Sequence, residues 1–156
     1  MERRHPAGIK DRRLSAGSEA PGENMKLESL NHVALQVRDA IKSAEFYARY
    51  CGMEVVHARQ DGDMHVRWIR LPNQKDGFML VLLETLADLS AAAGTMDHLG
   101  FYVDSRKDVD EIAQRAKDEG ILVDGPIYAG AVVGYFCMIQ DPDGNLVEFS
   151  CEQMRV

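Results

Sequence analysis

Two histidines and two glutamates stand out in this chain because they recur nearly in step. His32 lies in Asn31–Val37 (NHVALQV) and His98 in Asp97–Val103 (DHLGFYV), 66 positions apart. Glu84 closes an apolar run (VLLET) and Glu148 sits inside another (LVEFS), 64 positions apart. A glutamate in so apolar a strand is costly to bury unless it is paired or bound to a cation. Two imidazoles and two carboxylates, brought together, suit a divalent transition metal such as Zn, Ni, Fe or Mn, with positions left for water or substrate oxygens. His57 and His65 have no counterpart in the other half and read as strand or surface residues, and His5 lies in a polar N-terminal arm.

The elements that must carry these groups also come in pairs. In NHVALQV, alternation puts Val33, Leu35 and Val37 on one face and His32, Ala34 and Gln36 on the other. DHLGFYV divides the same way, with Leu99, Phe101 and Val103 opposite His98, Gly100 and Tyr102. A helix follows each strand. Asp39 is the N-cap of the first, whose apolar side is expected to hold Ile41, Ala44, Tyr47, Ala48 and Cys51, with Gly52 as its stop. Ser105 caps the second, with Val109, Ile112, Ala113 and Ala116 as its stripe and Gly120 as its stop.

Three strands are expected after each helix: near 54–59, 65–71 and 78–85, then near 122–124, 134–140 and 145–151. The segments 73–77 (NQKDG) and 141–144 (DPDG) have hairpin-turn chemistry. The fold class is therefore α+β: two βαβββ modules forming a cupped eight-stranded mixed sheet around a central cavity. Module one runs over about 27–86 and module two over about 95–152, within one domain covering 25–156. Ala34, Gly100, Ile69 and Leu82 are expected to line a mostly apolar cavity. Tyr102 and Tyr135 could each donate a hydrogen bond there, although packing is the better reading of both.

Residues 1–24 differ in kind. Rich in Arg, Gly, Pro, Ser and Glu, with few large apolar side chains, they read as a disordered arm. The remainder carries 13 basic and 21 acidic residues, a formal net charge of −8. That sign disfavours nucleic acid as a partner. No apolar run is long enough for a membrane helix, and no secretory signal pattern opens the chain, so a cytoplasmic location is expected. Cys51, Cys137 and Cys151 lack CxxC spacing and read as reduced thiols rather than a disulfide or zinc framework.

The opening NHVALQVRD, its echo DHLGFYV and the closing DPDGNLVEF resemble the vicinal oxygen chelate superfamily over about residues 27–152. That group includes glyoxalase I, methylmalonyl-CoA epimerase, fosfomycin-resistance thiol transferases, extradiol dioxygenases and bleomycin-binding proteins. The resemblance implies His32, Glu84, His98 and Glu148 as metal-ligand positions, with Glu148 first and Glu84 second as catalytic base. It also implies a small-molecule substrate that chelates the metal through two oxygens, and a homodimer. A glutamate at 84 tilts the implied chemistry toward a glyoxalase-like lyase or isomerase. The alternatives are an Fe(II) extradiol-type dioxygenase, which uses two His and the last Glu, and a non-catalytic binding protein. Gln36 stands where glyoxalase I carries an arginine for glutathione, and Ile127–Phe136 (IYAGAVVGYF) contains no Lys or Arg, so a glutathione adduct is disfavoured.

Overall fold

The repeated strand–helix pattern becomes two copies of one module in the computed structural model, which describes residues 29–74, 77–89 and 96–154. Module one is β1 (His32–Val37), α1 (Ala40–Cys51), β2 (Glu54–Asp61), β3 (Met64–Arg70) and β4 (Met79–Glu84). Module two is β5 (His98–Tyr102), α2 (Arg106–Asp118), β6 (Leu122–Tyr128), β7 (Tyr135–Gln140) and β8 (Leu146–Cys151). The eight strands form two four-stranded mixed sheets, ordered β1-β4-β3-β2 and β5-β8-β7-β6. In each, the first strand runs parallel to the last and the other pairings are antiparallel. The proposed arm, part of the 73–77 turn and part of the link between modules lie outside the described residues. Among the described residues, no helix is long and apolar enough to cross a membrane.

The caps are where the residue types put them. The Asp39 carboxylate accepts from the amides of Ile41 and Lys42, and Ser105 accepts from the amide of Asp108. Gly52 ends α1 in the left-handed conformation (φ 65°), where a β-carbon would be strained. The buried face of α1 is rotated from the expected stripe. Ala40, Ser43, Ala44, Phe46, Tyr47 and Tyr50 are buried, whereas Ile41 and Ala48 face outward. Two aromatic rings need more room than the aliphatic stripe offered, and Phe46 packs edge-on against Tyr47 at 5.3 Å. The sixth strand runs on past the expected 122–124 through Gly125-Pro126. Register shifts there absorb the irregular residues, and a β-carbon on Gly125 would lie 2.5 Å from the Phe136 carbonyl oxygen.

One hydrophobic core serves both modules. Leu35, Val37, Ile69, Leu80 and Leu82 from the first sheet join Cys137, Ile139, Val147, Phe149 and Cys151 from the second, with the helices between. Ile69 and Leu82 therefore belong to this core, at 1% and 0% exposure, and do not line the cavity assigned to them above. Full burial of each such side chain contributes about 1.5–3 kcal/mol.

Polar contacts fasten α1 to the DPDG turn of module two. The Asp141 carboxylate accepts from the amides of Asp143 and Asn145, the Asn145 side chain and the Tyr47 hydroxyl. Asp143 accepts from the Arg38 guanidinium and the Ser43 hydroxyl. At the other end of α1, Arg49 makes a two-pronged contact with Glu119 at 3.0 and 2.7 Å.

Candidate metal centre

Strand alternation turns each helix-facing row inward and leaves the histidine rows on open faces. His32, Ala34 and Gln36 are exposed on one sheet, and His98, Gly100 and Tyr102 on the other. Glu148 stands on the His98 face: β5 and β8 pair His98 with Leu146 and Gly100 with Glu148, one residue pair along the same row. Its side chain is only 11% exposed, and its Oε2 lies 3.7 Å from the His98 Nε2. Two donors each about 2.1 Å from a shared ion sit about 3–3.5 Å apart, so this pair is close to a ligating spacing.

Both histidines are held through the other ring nitrogen. His98 Nδ1 lies 2.6 Å from an Asp97 carboxylate oxygen, and His32 Nδ1 lies 2.8 Å from the Asn31 amide oxygen. An Nδ1–H donated to such an oxygen fixes the tautomer that leaves Nε2 as a lone-pair donor, the usual supporting arrangement of a metal-ligating histidine. Asn31 and Asp97 were missed as functional residues at the sequence level. Their signal was available, because each precedes its histidine in the repeated motif.

Glu84 is placed elsewhere. Strands β1 and β4 pair His32 with Met79 and Val37 with Glu84, so the two candidates lie five residues apart along the strands, about 17 Å. Glu84 also shares the helix-side face of Leu80 and Leu82 rather than the face of His32. The residue of module one that corresponds to Glu148 is Val81, since Ala34 pairs with Val81 as Gly100 pairs with Glu148. The carboxylate of Glu84 is occupied by His65, accepting from its backbone amide at 2.7 Å and meeting its Nδ1 at 2.8 Å. The near-equivalence of Glu84 and Glu148 therefore does not survive the register, and with it goes the tilt that Glu84 gave toward a glyoxalase-like lyase or isomerase. His65, read as a plain strand residue, is the group that satisfies this glutamate.

The remaining candidates divide cleanly. Tyr102 stays on the His98 face, 53% exposed. Tyr135 points to the helix side, where its hydroxyl donates to Asp110 at 2.6 Å and Arg106 lies over its ring. Among the described residues, no three His, Cys, Asp or Glu side chains converge as a ready-made metal cluster. One module thus offers His98 and Glu148 as a pair, and the other offers His32 on its own open face.

The comparisons with known proteins agree with this architecture. The chain belongs to the Glyoxalase/Bleomycin resistance protein/Dioxygenase superfamily, whose family model matches residues 29–149. It is 38% identical over 125 residues to PA2024 of Pseudomonas aeruginosa, an uncharacterized protein, covering 80% of this chain and 89% of the relative. Among solved structures it is similar to a possible glyoxalase from Bacillus cereus, at 29% identity and TM-score 0.63, covering 80% of this chain and all of that one. The fold is also that of the trypanothione-dependent glyoxalase I of Leishmania major, at 18% identity and TM-score 0.62, covering 81% and 88% of the two chains. The fosfomycin resistance protein FosX of Listeria monocytogenes shares it too, at 20% identity and TM-score 0.61, covering 80% and 94%.

Proposed function

We propose that the chain is a divalent-metal-dependent enzyme of the glyoxalase-like lyase or isomerase type. Its substrate is a small organic molecule that presents two adjacent oxygens to the ion. The observation that carries its metal dependence is the His98–Glu148 pair, 3.7 Å apart on an open sheet face with the histidine oriented by Asp97. The similarity to a possible glyoxalase from Bacillus cereus supports the glyoxalase-like chemistry. In this reading His98 and Glu148 hold the ion with His32 as the third ligand. When bound, the ion supplies positive charge that stabilises negative charge developing on the substrate oxygens. Glu148 is the group that takes up and returns the carbon-bound proton, while Asn31 and Asp97 keep the imidazoles aimed.

His32 comes from a second copy of the chain, in a homodimer. Supporting this, both histidine faces are open, every residue of β2 is exposed, and Val55, Tyr102, Ile127 and Tyr128 expose apolar surface to water. The three thiols, free in the structure, suit a reducing cytoplasm.

A second reading is favoured by the donor count. With Glu84 on the other face, the set is two histidines and one carboxylate, the combination that non-haem Fe(II) oxygenases use with open positions. Metal analysis of the full chain separates these readings from a non-catalytic binder. Stoichiometric metal that falls sharply in His98→Ala and Glu148→Gln, and persists in Glu84→Gln, supports the three-ligand enzyme. Iron together with oxygen uptake on addition of catechols selects the dioxygenase. Protein that neither retains nor takes up a transition metal sinks both enzymatic readings.

A further inference from the structure

The open face of module one is not bland. One row of cross-strand partners crosses it from edge to edge: His57 pairs with Trp68, Trp68 with Val81, and Val81 with Ala34. Ala34 is flanked on its own strand by His32 and Gln36, so the indole of Trp68 and the imidazole of His32 share this face. Two strand spacings and two residues separate them, about 12 Å between α-carbons.

The floor around Trp68 is dry. Val66 and Val81 are each 5% exposed yet stand outside the hydrophobic core cluster, because they lie on the opposite face of the sheet beside Trp68. The indole is also held in place. His57 meets it edge-on at 4.9 Å, and the Arg59 guanidinium lies 5.7 Å from its ring centre while pairing with Asp61. In module two the corresponding row runs Met138, Glu148, Gly100. Where one module sets a carboxylate backed by a thioether, the other sets an apolar floor backed by an aromatic ring.

We propose that Trp68 is a specificity-determining residue, and that the site takes substrates in which a two-oxygen chelating head is joined to a flat aryl group. This rests on His32 being a metal ligand: a molecule anchored beside His32 that extends over β4 and β3 reaches Trp68 with its far end. A single aromatic ring joined to a two-oxygen head spans the gap between the two side chains, and a methyl group does not. Aromatic rings in such contact gain about 0.5–1.5 kcal/mol beyond the area they bury.

The test uses the zinc-loaded full chain and two ligands with the same chelating end, 3-phenyllactate and lactate. Trp68 is the one tryptophan in the sequence, so its emission reports on this wall without labelling. The expected result is a saturable emission change with 3-phenyllactate, which binds at least about tenfold more tightly than lactate, a difference near 1.4 kcal/mol. Trp68→Leu brings the two ligands within about threefold of each other with zinc content unchanged, and Trp68→Phe keeps an intermediate preference. If zinc binds but the two ligands bind equally, or the preference survives in Trp68→Leu, the wall is wrong and the metal site stands. A chain that takes up no zinc overturns both. Should Trp68→Leu fail to fold, the wild-type titration and Trp68→Phe still decide the matter.

Discussion

Tyr47 donates its hydroxyl hydrogen to Asp141 at 3.0 Å, across 94 positions of sequence and from one module to the other. Both groups are buried, at 0% and 4% exposure. Burial, with the Asp141 charge added, pushes the phenol far above its ordinary range and so favours the neutral, hydrogen-donating form. Because Asp141 also organises the backbone of the DPDG turn, one carboxylate both shapes the turn and receives the helix.

Removing the hydroxyl should therefore be felt in global stability. Tyr47→Phe leaves a buried acceptor short of one partner, at a cost of about 1–3 kcal/mol. Thermal unfolding should show a midpoint lowered by about 2–12 °C. An unchanged midpoint would mean that the contact does not help to hold the modules together.

Asp97 is expected to act on metal affinity and hardly at all on folding, since its side chain is 86% exposed. Asp97→Ala should weaken metal binding about 10–100-fold in competition with a chromophoric chelator. Asp97→Asn should weaken it less, because an amide oxygen can still receive the Nδ1 hydrogen, as the Asn31 oxygen can at His32. Equal losses in the two variants would point to charge, not tautomer, as the important property.

The cap of α1 supplies a pH signature. The Lys42 amide donates to Asp39 at 3.0 Å and the Lys42 ammonium lies 3.2 Å away, holding the carboxyl below the ordinary aspartate range. A carboxyl with a lowered folded-state value stabilises the fold above its unfolded-state value and loses that contribution as pH falls through the folded one. Asp39→Ala should cost about 0.5–2 kcal/mol near neutral pH. Urea midpoints of wild type and variant should then converge as pH drops below the aspartate range. A gap independent of pH would remove the charge from this account.

Much of the fold was legible because its signals are local. The periods of the two opening strands, the capping residues Asp39 and Ser105, and the glycine stop of α1 each depend on a few neighbouring residues. The orientation of α1 was not, since whether Ile41 or Phe46 turns inward depends on what the opposing sheet can accommodate. Glu84 shows the harder limit. The histidines repeat at 66 positions, but the pairing of the last strands repeats at 67, because the whole stretch from the first strand to the last is one residue longer in module two. A one-residue difference exchanges the two faces of a strand. The clue lay in the alternation itself, which placed Glu84 with Leu80 and Leu82, the residues that turned out to meet the helix.

Val81 standing in the place of Glu148 has an electrostatic consequence. Two neutral imidazoles and one carboxylate cancel only half of a divalent charge, whereas a glutamate at 81 would have completed the cancellation. With the proposed ion bound, Val81 in that place would leave a residual unit of positive charge on an otherwise acidic body. Small anions that chelate through oxygen would gather at that point, and neutral molecules of the same shape would not.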